Sequence, residues 1–229
     1  MSNGTRLGEL ISMMFQAHPW HGIPACDAEK RVTAYIEIGP TDVVKYELDK
    51  PSGHLRVDRP QRYSSVPPTL YGFIPQTYCA ELVAERCMER TPGLKGIKGD
   101  GDPMDICVIS EKTFYGGNFL LRAKPIGGLR MVDAFEADDK IIAVLEDDAV
   151  YGGIDDISQL SEGLVDRLRH YFLSYKQFPG ENPRKVSIDE VYGAEEAFET
   201  IRRSETDYRT HFGEPAQRID ELKRLLREP

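Results

Sequence analysis

The sequence lacks the signals that mark a membrane protein, a disulfide scaffold or a zinc module. Its four cysteines form no C-x-x-C pair and no zinc-ligand spacing, which predicts reduced thiols without a chemical role. No apolar run approaches the length of a membrane span, and the first residues carry no signal-peptide pattern. We therefore expect a cytoplasmic protein with no membrane partner.

Positive charge is also scarce. The 229 residues include 29 Lys and Arg against 38 Asp and Glu, a formal net charge of -9. Such a chain repels phosphate backbones, so we expect no nucleic-acid partner, and an anionic ligand would need local basic residues or bound metal. The hydrophobic content of 40% is sufficient for a core, and no linker divides the chain, so we expect a single domain over residues 1–229.

Alternating polar and apolar residues predict three strands near the start of the chain. They are Val32 to Ile38, Val43 to Asp49 and His54 to Asp58. We expect these strands to form a meander, with Glu37, Lys45 and Glu47 on its polar, solvent-facing side. The preceding residues 18–22 contain two histidines beside proline and glycine, a pattern more typical of a structural segment than of a metal site.

Further short strands follow after residue 100. They are predicted at Phe119 to Lys124, Ile126 to Val132, Ile141 to Leu145 and Val186 to Val191. Short strands with close turn signals are typical of a closed or partly closed antiparallel barrel. Residues 79–99 look like a polar excursion that leads the chain to the acidic turn, and Asp147-Asp148 is interpreted as a solvated turn.

Helical spacing occurs mainly in the last third of the chain. An amphipathic helix that is capped by Ser161 and turns Tyr175 toward the barrel is predicted by the spacing of Leu164, Leu168, Tyr171, Phe172 and Tyr175. Other predicted helices are Leu7 to Phe15, Ala194 to Thr210 and Ile219 to Arg227. The expected fold class is α+β, mainly β.

An acidic turn occupies residues 100–105. Asp100, Asp102 and Asp105 lie within six residues, and Gly101 and Pro103 make the segment a bent, stiff turn before a buried strand. An EF-hand is excluded, because Met104 stands at the fifth position, where the loop needs an oxygen ligand, and Asp105 at the sixth, where it needs glycine. Two interpretations remain open from this turn alone: a divalent-cation site and an acidic surface turn.

The acidic turn does not stand alone in the sequence. Other short motifs follow in a fixed order: Tyr35-Ile36-Glu37-Ile38, Val44 to Lys50, Ser52-Gly53, Val57-Asp58-Arg59, Tyr71-Gly72, Arg122 to Gly127, Asp133, Asp138-x-Lys140, and His170-Tyr171-Phe172 through Tyr175-Lys176. Together with the acidic turn they resemble the soluble family I inorganic pyrophosphatases, over about residues 18–195. The resemblance implies a five-stranded OB-like antiparallel barrel with flanking α-helices, and helical extensions at 1–17 and 196–229.

The resemblance also implies a reaction: Mg²⁺-dependent hydrolysis of inorganic diphosphate to two phosphates by direct attack of a metal-activated water. Asp100, Asp105, Asp133 and Asp138 then correspond to metal ligands and Asp102 to the general base. The groups implied to bind phosphate are Lys45, Arg59, Tyr71, Lys140, Tyr175 and Lys176, of which Lys45, Arg59 and Tyr175 also count as catalytic. Glu37 and Glu47 correspond to acidic positions at the rim.

One position departs from the family pattern, since Pro67 stands where many members carry a tyrosine. Tyr63 or Tyr78 could supply the missing hydroxyl. The sequence disfavours two other functions. A single-strand nucleic-acid module is disfavoured by the net negative charge. An inactive structural or metal-storage relative would have lost one of the five aspartates. We expect a homo-oligomer from the resemblance.

Overall fold

A computed structural model describes residues 16–26, 31–62, 64–177 and 186–214, together with Gln217, Asp220 and Arg224. The helix predicted at Leu7 to Phe15 lies outside the described residues, and so does Tyr63. Of the helix predicted at Ile219 to Arg227, only Asp220 and Arg224 are described, both in helical conformation.

The described elements alternate between short strands and a few helices. In chain order they are β1 (Val32–Ile38), β2 (Val44–Leu48), β3 (Leu55–Pro60), β4 (Leu70–Phe73), α1 (Glu81–Arg90), β5 (Lys98–Gly99), β6 (Asp105–Ile109), β7 (Phe119–Asp133), β8 (Glu136–Ala137), β9 (Lys140–Leu145), a 3-10 turn (Ile157–Gln159), α2 (Glu162–Ser174), β10 (Val186–Gly193) and α3 (Ala194–Phe212). None of the helices among the described residues is both long and apolar enough to cross a bilayer.

Five strands close into a ring. The order is β1-β4-β6-β9-β7, and β7 pairs again with β1. This confirms the predicted mainly-β, OB-like architecture with flanking helices. The ring is not wholly antiparallel, because β6 and β9 run parallel. Alternate residues of the five strands form one core cluster, and α2 packs against a second cluster through Leu168 and Phe172.

The predicted three-strand meander is wrong. β2 and β3 form a separate two-stranded sheet, whereas β1 pairs with β4 and β7. The separate sheet packs on β1 through β2, so Glu37 is only 7% exposed rather than solvent-facing. Alternation shows which residues share a face, but it does not show what packs against that face.

The two strands predicted on either side of Pro125 are one continuous strand, β7. The pairing of β7 with β9 shifts register between Pro125 and Gly127. Proline lacks the N–H that a regular ladder needs, and an irregularity of this kind is where a strand can accept it. The proline therefore marks a bulge in β7 and not its end.

The polar excursion at residues 79–99 contains a helix, α1, that was not predicted. Val83, Ala84 and Cys87 bury one face of this helix. Its start is capped from a distant element: the Asp207 carboxylate on α3 accepts hydrogen bonds from the backbone N–H groups of Ala80 and Leu82, both at 3.1 Å. The capping signal is therefore absent from the local sequence.

The remaining predictions near the helices hold with one exception. α2, β10 and α3 are observed where they were predicted, although Ser161 makes no side-chain cap bond at the start of α2. The exception is Asp148, which is buried: its carboxylate accepts hydrogen bonds from Ser110 Oγ at 2.8 Å and from Tyr151 N at 2.9 Å. It holds two loops together and does not lie in a solvated turn.

Candidate active site

A polar cavity of about 230 Å³ opens beside the ring, where the ends of several strands meet. Its lining is mostly ionisable and brings together residues from distant parts of the chain. The charged members are Glu37, Lys45, Glu47, Lys50, Asp100, Asp102, Asp105, Asp133, Glu136, Asp138, Lys140 and Lys176. Eight carboxylates thus face four lysines in what we call the front pocket.

The acidic turn is fixed by backbone hydrogen bonds to the segment before α1. Cys79 N donates to Asp102 O at 2.8 Å, and Gly101 N donates to Cys79 O at 3.0 Å. Gly101 has φ +73°, a left-handed conformation that glycine adopts without strain, as its place in the turn predicted. The turn leaves the Asp102 side chain 53% exposed, whereas that of Asp105 is 21% exposed.

Asp105 and Asp138 both form ion pairs with the ammonium group of Lys140. Register places Asp105 beside Lys140 in the parallel β6–β9 pair, and the Lys140 ammonium forms ion pairs with both carboxylates. Lys140 is only 2% exposed. Burial alone would lower the pKa of Lys140, but Asp105 and Asp138 hold it well above its usual range, so the side chain stays charged.

The carboxylates of the front pocket destabilise one another. Burial, followed by repulsion from Asp138 and Asp105, raises the pKa of Asp100 well above its usual range. Burial likewise raises the pKa of Asp138, and Lys140 only partly offsets it. Positive charge added near these groups would relieve the repulsion.

The donor set matches a hard divalent cation, because it consists of carboxylate oxygens without thiolate or imidazole. Within the described ranges, no three His, Cys, Asp or Glu side chains are already grouped to hold a metal ion. Lys140 accounts for part of this arrangement, since its ammonium lies between two of the predicted ligands, Asp105 and Asp138.

The other lysines also contact carboxylates. Lys176 Nζ lies 2.6 Å from Asp133 Oδ2, and Lys45 pairs with Glu47 and lies 3.5 Å from Asp58 Oδ2. These pairs bring most of the predicted phosphate-binding cations next to predicted metal-binding or rim acids. A ligand carrying both phosphate oxygens and cations would satisfy both halves of each pair.

Glu37 differs from Glu47, although both were predicted at the rim. Its carboxylate accepts a hydrogen bond from Leu48 N at 2.7 Å and ties β1 to β2. Burial, despite that bond, raises the pKa of Glu37 to about 8. Glu37 is therefore a buried acid at the wall of the front pocket, whereas Glu47 is more exposed, with 39% of its side chain accessible.

Arg59 is the predicted site residue that does not line the cavity. Its guanidinium pairs with Asp58, and its central carbon lies 6.0 Å from the centre of the Tyr175 ring. Tyr175 and Tyr71 do line the cavity. Burial, followed by the nearby Asp105, raises the pKa of Tyr71 well above its usual range.

Comparison with known proteins assigns this arrangement to a family. The family model described as inorganic pyrophosphatase matches residues 34–209. The chain belongs to the inorganic pyrophosphatase family. An inorganic pyrophosphatase of Chlamydia trachomatis is 51% identical over 197 residues, which cover 84% of this chain and 94% of the relative.

More distant members agree. A soluble inorganic pyrophosphatase 2 of Chlamydomonas reinhardtii is 39% identical and covers 86% of this chain and 91% of its own length. The crystal structure of the inorganic pyrophosphatase from Thermus thermophilus has a TM-score of 0.69 at 28% identity, over 83% of this chain and 99% of that one. The family match ends at residue 209, past the predicted limit of 195, so it includes most of α3.

Several residues of this pyrophosphatase pocket were not predicted. Lys50 ends the Val44 to Lys50 motif but was not predicted as a site residue. Its ammonium pairs with Asp102 and lies 3.2 Å from Gly101 O. Trp20 and Glu136 also line the pocket. Lys50 could have been found from its place at the end of the Lys45-x-Glu47-x-x-Lys50 run. Trp20 and Glu136 carry no local signal, because only the tertiary fold brings them to the pocket.

Pro67 occupies the position at which many family members carry a tyrosine hydroxyl. Pro67 is buried and is not part of the pocket lining. The Tyr78 hydroxyl lies beside the acidic turn, 3.4 Å from the point where a Cβ would stand on Gly101, but Tyr78 does not line the pocket either.

Proposed function

We propose that this chain hydrolyses inorganic diphosphate to two phosphates with Mg²⁺ as its cofactor. The excess of carboxylates in the front pocket carries the proposal. Eight acidic side chains face four lysines, and even with the buried Glu37 protonated they repel a diphosphate anion until divalent cations reverse that field. The family, whose members are hydrolases of pyrophosphate, supplies the substrate, and the donor chemistry favours a hard cation.

Asp100, Asp105 and Asp138 would hold the first cation, and Asp133, with Asp138, a further one. All four line the pocket, and the raised pKa values of Asp100 and Asp138 express their mutual repulsion. Bound Mg²⁺ would neutralise phosphate oxygens and lower the pKa of a nearby water. Tyr71 lines the pocket near Asp105 and would offer its hydroxyl to the bound phosphate.

Asp102 would act as the general base. Its side chain is the most exposed of the three in the acidic turn, so it can reach a water at the pocket mouth. It takes a proton from the water as the water oxygen bonds to phosphorus and the bridging P–O bond breaks. Lys50, paired with Asp102 through its ammonium, holds the carboxylate at that edge of the pocket.

The phosphate groups would be held by Lys45, Arg59, Lys140, Tyr175 and Lys176. Each lysine can exchange its carboxylate partner for a phosphate oxygen once cations compensate the acids. Arg59 would reach the leaving phosphate from beside Tyr175, since the two side chains already lie close together. Glu37 and Glu47 would shape the pocket wall beside Lys45.

Three features of the whole protein are part of the same proposal: a single catalytic domain over residues 1–229, a cytoplasmic location and a homo-oligomeric state. The buried thiols Cys79, Cys87 and Cys107 suit a reducing compartment. Light scattering coupled to size exclusion would measure the oligomeric state.

The direct test is a phosphate-release assay with diphosphate and purified protein. We expect release with Mg²⁺ and none above the uncatalysed rate in excess EDTA, with activity restored by added Mg²⁺. Full activity in EDTA would contradict the metal requirement, and no activity at any Mg²⁺ concentration would favour an inactive relative.

A further inference from the structure

A second cluster of charges lies behind the front pocket. It joins β7, the β8–β9 link, β10, α1 and α3, and none of its members was predicted as functional. It consists of Arg86, Arg130, Asp139, Tyr192 and Glu196, and we call it the back cluster. Arg130 is fully buried, and Asp139 and Tyr192 are 2% and 3% exposed.

Asp139 is the member closest to the pocket along the chain, because it stands between Asp138 and Lys140. Asp138 and Asp139 form the two-residue link between β8 and β9, in which Asp138 N donates to Met131 O of β7 at 2.9 Å while Asp139 is held by its side chain. Neighbouring residues of an extended chain point to opposite sides. Asp138 and Lys140 therefore face the front pocket, while Asp139 points into the back cluster.

The Asp139 carboxylate is held from two strands. Its Oδ2 accepts a hydrogen bond from Arg130 Nη1 at 2.7 Å and another from the Tyr192 hydroxyl at 3.0 Å. Arg130 itself is fixed by an ion pair with Glu196, and its guanidinium carbon lies 4.8 Å from the Tyr192 ring centre. Arg130 is thus bonded to Asp139 at one end of its guanidinium and to Glu196 at the other, and this fixes the side chain of Asp139 in the link between β8 and β9.

The chain makes room for this arrangement. Tyr192 pairs with Gly128 in the β10–β7 ladder, and a Cβ on Gly128 would lie 2.4 Å from the Tyr192 ring. Glu196 is held in turn by Arg86, whose Nε donates to Glu196 Oε1 at 2.9 Å. The back cluster is thus connected to the two helices α1 and α3.

Stability alone does not account for a buried cluster of this kind. An ion pair out of water loses solvation, and apolar side chains of the same size often hold a fold equally well. Arg130 Nε and Asp139 Oδ1 are buried without a hydrogen-bond partner among the described residues. What the pair supplies that apolar residues would not is a fixed direction for the β8–β9 link.

We propose that Arg130 and Asp139 are positioning residues, which hold the β8–β9 link so that Asp138 and Lys140 face the front pocket together. The inference rests on the proposed function, since Asp138 would bind Mg²⁺ and Lys140 phosphate. Groups that orient metal ligands from outside typically change metal affinity or activity by roughly 10- to 100-fold when removed.

The test measures Mg²⁺ binding by isothermal titration calorimetry, without diphosphate, on the full chain. Asp139→Asn keeps the shape of the side chain and an acceptor for Tyr192 but removes the charge that Arg130 binds. We expect a dissociation constant for Mg²⁺ at least about 10-fold higher than in the wild type, and a higher KM for diphosphate. Should Asp139→Asn not fold, the double variant Arg130→Met/Asp139→Leu removes both buried charges at once and carries the same expectation.

The matched control is Asp156→Ala. The Asp156 carboxylate caps the start of α3 by accepting from Ala194 N at 2.8 Å, and it does not contact the β8–β9 link. We expect this variant to lower Tm while leaving the Mg²⁺ dissociation constant unchanged.

The outcomes are distinct. If the folded Asp139 variants bind Mg²⁺ as the wild type does and lose only Tm, as the control does, the back cluster is purely structural and the inference is overturned. If the wild type itself binds no Mg²⁺, the proposed function fails, and the inference fails with it.

Discussion

The front pocket and the back cluster lie on opposite sides of the same short link, Asp138-Asp139, and they treat charge differently. The back cluster is mostly buried, and each of its two arginines is paired with a carboxylate of the cluster. The front pocket carries eight carboxylates against four lysines and is open to solvent at Asp102. Charges that hold the fold are compensated within the protein, whereas the pocket keeps an excess that a ligand can compensate.

Removing the Asp102 carboxylate is expected to have the largest effect on the reaction. Asp102→Asn should lower kcat by about 10²- to 10⁴-fold, since the water loses its proton acceptor, and should move the acidic limb of the pH profile to higher pH. Asp100→Asn is the comparison within the same turn. It should instead raise the Mg²⁺ concentration needed for half-maximal activity, and steady-state kinetics separate the two. Rescue of Asp102→Asn by Mg²⁺ would make Asp102 another ligand.

Unbalancing the back cluster should cost stability. Arg130→Met leaves Asp139 buried without its counter-charge and should lower the free energy of unfolding by about 3 to 5 kcal/mol. The double variant Arg130→Met/Asp139→Leu should recover much of that loss, because no buried charge is left unpaired. Urea denaturation monitored by circular dichroism measures both. A double variant less stable than the single one would mean that the pair contributes net stability.

The buried Glu37 side chain at the pocket wall should make the stability of the folded protein depend on pH. Its pKa is raised to about 8 in the folded protein, so the folded state holds a proton that the unfolded state releases above about pH 4.5. This group's contribution to stability is therefore fully present below about pH 4.5 and is lost as the pH rises through about 8.

Glu37→Gln removes that titration but keeps an oxygen for the Leu48 N–H. Relative to the wild type in EDTA, the variant should gain stability between pH 5 and 8, on the order of a few kcal/mol, with no further change above pH 8. Thermal unfolding across this pH range measures the difference. A difference independent of pH would mean that Glu37 is charged in the folded protein.

The smallest effect is expected at an exposed ion pair on α3. Arg202 and Glu199 pair at 2.8 Å, but 66% of the Arg202 side chain is accessible to solvent. Arg202→Met should change the free energy of unfolding by less than about 1 kcal/mol and leave kinetics unchanged. Together with Arg130→Met it compares an exposed and a buried arginine on the same scaffold. A large effect at Arg202 would show that exposure does not separate the two.

Local sequence predicted those parts of the molecule that local physics determines. The strand Val32–Ile38 was predicted with its observed bounds, and the bend at Gly101 and the amphipathic α2 follow from residue type and spacing. The pocket acids were predicted from the order of the family's motifs. Their roles remain predictions.

What could not be predicted depends on contacts between distant residues. The cap of α1 comes from Asp207, more than a hundred positions away, and Glu37 is buried because β2 belongs to a separate sheet that packs on β1. Arg130 and Asp139 are ordinary charged residues in the sequence, and only the β7 register places them together. A single sequence shows which side chains can pair, but not which ones the fold brings into contact.

In the proposed function, Mg²⁺ binds to the unbalanced acidic side chains of the front pocket and not to the acidic surface of the chain as a whole. Calorimetric titration of Mg²⁺ into the double variants Asp100→Asn/Asp105→Asn and Glu162→Gln/Glu195→Gln separates the two, because each variant replaces two acidic side chains by amides. Glu162 and Glu195 are exposed first-turn residues of α2 and α3. We expect wild-type binding in the surface variant and loss of the tightest site in the pocket variant. Equal binding in the two variants would contradict the claim.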